Sequence, residues 1–159
     1  MTATTENAPL LEATTEIDAP PEAVWAVVAD LRALGGLSDQ VLRTHVRGTS
    51  PVGLGTRTVN INRRGPLVWP TRAKVVRFEP NRDFAFRIKD NGSIWSYELT
   101  PSATGGTVVT HRREAPKGTT QVSKTLQDKV LGGVANFDRE MEAGMAVTLQ
   151  RLKALLENR

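Results

Sequence analysis

The chain has 159 residues, a formal charge of +4, 39% hydrophobic residues and no cysteine. That length suits one domain with a buried core of its own, and the lack of cysteine excludes disulfides and thiolate chemistry. The charge is uneven, because residues 57–89 hold nine basic and two acidic side chains, a local +7 against −3 for the rest.

Residues 1–9 are polar and Thr-rich with no apolar run, which reads as a disordered tail, neither a signal peptide nor a membrane span. The expectation is a cytoplasmic protein with one domain over residues 10–159. Leu11 to Asp18 is a plausible first strand of imperfect alternation. Asp18-Ala-Pro-Pro-Glu22 then opens a helix, since proline near the first turn loses no helical hydrogen bond and Glu22 suits the positive end of the dipole. Val24, Val27, Val28 and Leu31 mark its buried stripe, and Leu34-Gly35-Gly36 supplies a stop.

From Val41 the texture changes to short β-prone runs: Val41 to Arg47, then Thr58 to Arg63 after Gly53-Leu-Gly-Thr-Arg57, then Arg72 to Glu79 after a loop over Pro66 to Pro70. Asn91-Gly92 between Asp83 to Lys89 and Ile94 to Thr100 predicts a hairpin with a type I′ turn. Phe84, Phe86 and Ile88 on one strand and Trp95, Tyr97 and Leu99 on the other give it an aromatic face. Thr107 to Glu114 is the last strand, and Pro116-Lys-Gly118 breaks the chain after it. Residues Gln121 to Arg159 then read as one long amphipathic helix, because Leu126, Val130, Val134, Phe137, Met141, Met145, Leu149, Leu152 and Leu156 fall within an arc of about 140°. No other segment could serve as a partner helix of that length, so the surface it covers should be the sheet.

Four stretches in order carry a resemblance: Ile17-Asp-Ala-Pro-Pro-Glu-Ala-Val-Trp25 to Leu31, Val52-Gly-Leu-Gly-Thr56, Gly105-Gly-Thr-Val-Val-Thr110 and Thr148-Leu-Gln-Arg-Leu-Lys153. Together they resemble the START-like superfamily of polyketide cyclases and lipid-transport proteins (SRPBCC, Bet v 1-like), across Leu11 to Asn158. The resemblance implies an α+β helix-grip fold, a curved antiparallel sheet of about seven strands around the C-terminal helix, with one or two short helices after the first strand. It also implies a cavity between sheet and helix. The sequence departs from the pattern at Leu34-Gly-Gly-Leu-Ser38, where many bacterial relatives carry a tryptophan.

Inward positions in such a fold divide between core filling and ligand contact. Trp95 and Tyr97 would form an aromatic wall with Phe86, and Tyr97 is the only phenol in the chain. If Val109, His111 and Arg113 face inward, as the resemblance suggests, His111 shares the cavity with them and has a pKa suited to proton transfer. Phe137, Met141 and Met145 could line the opposite side, with Gly144 allowing close approach and Asp138 at the border of the stripe. Ordinary core packing accounts for each of these residues as well. His45 belongs on a solvated strand face. Of the alternating Val59, Asn60, Ile61 and Asn62, the apolar pair is expected inside. Trp69, flanked by Arg63, Arg64 and Arg72, could mark an anion-attracting rim; the basic segment otherwise reads as solvated strand faces.

Some chemistries are excluded by pattern. No histidine pair has metal-ligand spacing, no Gly-x-Ser-x-Gly elbow is present, and Gly53-x-Gly55-Thr56 lacks the third glycine or lysine of a phosphate loop. No cofactor or metal is expected, and without a recognised DNA- or RNA-binding motif nucleic acid is not an expected partner. The sequence therefore favours a protein that holds a small hydrophobic ligand, lipid-like or aromatic. The alternatives are an aromatase/cyclase using His111, Tyr97 and an arginine, and a regulatory protein meeting an acidic partner through its basic sheet face. Oligomeric state is not set by the sequence.

Overall fold

The computed structural model describes residues 10–48, 51–90, 92–114 and 134–158, with side chains of the last helix from Arg139 onward. Strand β1 (Leu11–Ile17) leads into helices α1 (Pro21–Val28) and α2 (Leu31–Gly36), followed by β2 (Val41–Val46), β3 (Arg57–Arg64), β4 (Leu67–Glu79), β5 (Asp83–Ile88), β6 (Ile94–Pro101) and β7 (Thr107–Glu114), and ends with α3 (Val134–Glu157). The described strands form one antiparallel sheet in the order β1-β7-β6-β5-β4-β3-β2. This is the helix-grip arrangement. The stretch 121–133, expected as the first part of the terminal helix, lies outside the described residues.

Local chemistry explains the short helices. Pro21 opens α1, where its missing N–H is not needed. The Asp30 carboxylate caps α2 by accepting from the N–H groups of Arg32 and Ala33. Gly35, expected as part of a stop, lies inside α2. A Cβ there would overlap Thr44 Oγ1, so the bare backbone lets α2 sit tightly on β2.

Two sequence expectations change at the hairpins. The loop between β5 and β6 is closed by the Ile88 N–H donating to the Ser93 carbonyl and the Gly92 N–H to the Ile88 carbonyl. It therefore spans residues 89–92, with Gly92 at φ 75°, and is not the two-residue type I′ turn; Asn91 itself is outside the described residues. The Pro66 to Pro70 segment is also not a loop. The chain turns at Gly65-Pro66 and Trp69 already pairs with Asn62. Arg72 points its N–H at the Asp90 carboxylate and its carbonyl at the Lys89 N–H, both on the β5 side. Pro70, two residues earlier, turns its missing donor to that same side, where β5 has already ended.

The interior is solid at one end. Ile17, Val24, Val28, Val75, Phe84, Val109, Leu149 and Leu152 are buried together, and Trp25, Phe78 and Phe84 meet edge to face. Helix α3 contributes Leu149, Leu152 and Leu156, all at most 6% exposed, each stabilising by roughly 1.5–3 kcal/mol. Polar contacts fix its C-terminal end against β1: Lys153 Nζ donates to the Glu16 carbonyl and the Asp18 N–H donates to the Glu157 carboxylate.

Candidate functional site

The other end of the interior is hollow. A cavity of about 210 Å³ lies between α2, the sheet and α3, below the roughly 300–1,000 Å³ of most ligand sites and so suited to a compact molecule. Strands β4 to β7 supply its aromatic wall, because Trp69, Phe86, Trp95, Tyr97 and His111 all project to the concave face. Met141, Gly144, Met145 and Thr148 of α3 face that wall; the methionine thioethers can adapt to different ligand shapes.

At the centre of the wall three rings meet, two of them stacked. The Tyr97 and His111 rings are 4.0 Å apart and within 8° of parallel, and Trp95 lies 5.8 Å from His111, tilted by 38°. Direct pairing of Tyr97 with His111 across β6 and β7 sets this contact. His111 Nδ1 is 2.9 Å from the Ser96 carbonyl. A carbonyl only accepts, so the proton sits on Nδ1 and Nε2 keeps its lone pair. Burial pushes His111 down to about 4, opposed by the hydrogen bond to Ser96, and pushes the Tyr97 phenol up. Both rings are neutral at pH 7. Neither Tyr97 Oη nor His111 Nε2 has a hydrogen-bond partner among the described residues.

The polar side of the cavity comes from β2, β3 and β4 and reverses the expectation for the asparagines. Asn60 and Asn62 face the cavity with Thr44, Thr58 and Thr71, while Val59 and Ile61 are on the outer face. The register explains it: Asn62 lies opposite Trp69 and Asn60 opposite Thr71, so all four share one face. Placing Trp69 in a strand would have revealed this; treating it as a loop residue hid it. Asn62 Nδ2 donates to the Trp69 carbonyl and Thr71 Oγ1, and Thr44 Oγ1 donates to Asn60 Oδ1. These bonds lock the amides in place, so their groups are presented in a fixed orientation. At the rim, Arg64 grips Glu140 with two hydrogen bonds of 3.1 and 2.5 Å, tying β3 to α3.

Of the residues the sequence singled out, Trp69, Phe86, Trp95, Tyr97, His111, Met141 and Met145 line the cavity. Val109 does not; it is wholly buried in the solid core, two residues toward the closed end of β7. Arg113 also points inward and is 2% exposed, but it lies beyond the cavity, beside Trp95. The side chains of Phe137 and Asp138 are outside the described residues. No cationic side chain is among the described lining residues, and these residues hold no cluster of three or more potential metal ligands.

A family model described as "Polyketide cyclase / dehydrase and lipid transport" matches residues 9–157. The chain belongs to this family. No curated protein matches the chain. Solved structures carry the same fold as this family member: TTHA0849 from Thermus thermophilus (19% identity, TM-score 0.66, covering 93% of this chain and 97% of that one), and the Polyketide_cyc-like protein Cgl2372 from Corynebacterium glutamicum (25%, 0.62, 93% and 91%). The di-domain ARO/CYC StfQ from the steffimycin biosynthetic pathway matches at 16% identity and TM-score 0.73, with 94% of this chain covering 51% of that protein. The family member described here thus spans about half of StfQ. Among the described residues no helix is long and apolar enough to cross a membrane.

Proposed function

We propose that the chain captures a compact, largely apolar aromatic or polyketide-like molecule in the cavity between its sheet and terminal helix. The observation that carries this reading is the stacked Tyr97–His111 pair with Trp95 beside it, in one cavity with the fixed amides of Asn60 and Asn62. A flat ligand would pack against the rings, with apolar burial giving roughly 25 cal/mol per Å². Tyr97 Oη would donate to a ligand oxygen, His111 Nε2 would accept from a ligand hydroxyl, and Asn60 and Asn62 would orient the far end. The likeness to an aromatase/cyclase domain supports a polycyclic or polyketide ligand; the family description equally accommodates a lipid-like one.

A second reading, cyclase chemistry, draws support from the same pair. His111 Nε2 would take a proton from a carbon between two carbonyls, the enolate carbon would attack a further carbonyl, and the proton would return to the new alkoxide. Tyr97 would hydrogen-bond the enolate oxygen. With His111 at about 4, holding that proton at pH 7 costs about 4 kcal/mol, and no cation among the described lining residues offsets the enolate charge. Magnitude therefore favours capture over turnover.

Native mass spectrometry of freshly isolated protein tests the reading. A retained small molecule, lost or at least tenfold weaker in Trp95→Ala, is the expected result. Wild-type protein that retains nothing and fails to bind an added aromatic alcohol such as 1-naphthol would overturn it. Substrate turnover that disappears in His111→Ala while ligand affinity holds would favour the cyclase instead.

A further inference from the structure

The outer face of the sheet is electrically divided. Across β1, β7, β6 and the adjoining end of β4, arginines and acids neutralise one another: Arg112 bridges Glu12 and Glu98, and Arg77 bridges Asp83 and Glu114. Across β2 to β5 Arg72 is matched by Asp90, but a further set of cations is not. The Arg47 N–H donates to the Arg57 carbonyl, Arg57 pairs directly with Lys74, and Lys74 with Arg87. The four cations thus form a row across adjacent strands, spanning three strand spacings or roughly 14 Å. All are exposed, and none makes an ion pair with another described residue. Like charges set directly opposite one another destabilise a sheet, so folding gives no reason for this row.

We propose that this outer face of β2 to β5 docks on the anionic surface of a phospholipid bilayer. Aliphatic side chains lie among the cations on the same face: Val59 and Ile61, half-buried, and Val68 and Pro70, exposed, with Val68 at 53%. Cations that meet headgroups, with aliphatic groups between them, match an interface that is charged outside and apolar beneath. A nucleic acid fits less well, because Trp69, Phe86, Trp95 and Tyr97 all turn to the cavity side and leave His45 as the one exposed ring among the described residues of this face, too little for stacking successive bases. An acidic peptide adding as a strand fits less well too, since it could join only at the β2 edge, while Lys74 and Arg87 stand on β4 and β5 inside the sheet. The inference goes beyond ligand capture and does not depend on it.

The test is cosedimentation of the full chain with vesicles of phosphatidylcholine alone and with about 30% phosphatidylglycerol. Binding is expected only to the anionic vesicles and should weaken with salt. At about fivefold per cation, Lys74→Gln/Arg87→Gln should weaken it about 25-fold. Arg32→Gln/Arg82→Gln removes the same charge from α2 and the β4–β5 turn, and should change it less than about threefold. The row variant should melt at or above the wild-type temperature, since it relieves repulsion, and Val68→Asp should weaken docking without removing a cation. Equal binding to both vesicle types, equal losses in the two double variants, or tighter capture of oligo(dT) or polyglutamate than of anionic vesicles would overturn the proposal.

Discussion

Tyr97 and His111 sit face to face, ring centroids 4.0 Å apart, on neighbouring strands beneath the terminal helix. Their stacking, together with the Nδ1 hydrogen bond to Ser96, holds His111 in one neutral tautomer. That has a consequence for stability. The unfolded chain gains a proton on this histidine near pH 6.5, whereas the folded chain resists until about 4. The contribution is complete above pH 6.5 and is lost as pH falls toward 4, amounting to about 3 kcal/mol over that window. Urea unfolding between pH 7 and 4 should therefore show a pH dependence that flattens by that amount in His111→Asn.

Arg64 and Glu140 close the rim. Their side chains are 30% and 41% exposed, so the pair adds at most about 1 kcal/mol to stability. Its larger effect is kinetic, because it ties β3 to α3 across the entrance. Arg64→Met should leave the melting temperature within a few degrees of wild type while speeding 1-naphthol release up to about fivefold in stopped-flow fluorescence. Unchanged release would show that the ligand leaves by another route.

Gly35 packs where a methyl group cannot. Gly35→Ala would drive its Cβ into Thr44 Oγ1, and overpacking of this kind costs about 1–3 kcal/mol. Thr44→Ala removes the obstructing oxygen, so the double variant should recover part of the loss despite giving up the bond to Asn60. Calorimetric unfolding of the four proteins of this cycle gives the coupling directly. Additive losses would mean that α2 shifts away from β2 to make room.

Much of this was readable from the chain. The apolar stripe on the last helix named Met145, Leu149, Leu152 and Leu156, because a helix against a sheet must bury one face, and strict alternation placed Trp95 and Tyr97 on one side, whereas only the family resemblance turned His111 toward them. Register was not readable. Whether Asn60 or Ile61 faces inward depends on where β3 turns into β4, and two prolines made β4 look like a loop. The difference between Val109 and His111, on the same face of the same strand, was equally hidden. Only the tertiary position of α1 and α2 decides which part of the interior is filled and which is left hollow.

The three tryptophans report separately on the central claim. Trp69 and Trp95 line the cavity, while Trp25 packs with Phe78 and Phe84 in the solid end. Titrating 1-naphthol into nitrogen-15 labelled protein and following the indole N–H resonances is the most direct test. The account predicts saturable shifts of the Trp69 and Trp95 indoles with Trp25 nearly still. A response led by Trp25, or none from the other two, would contradict it.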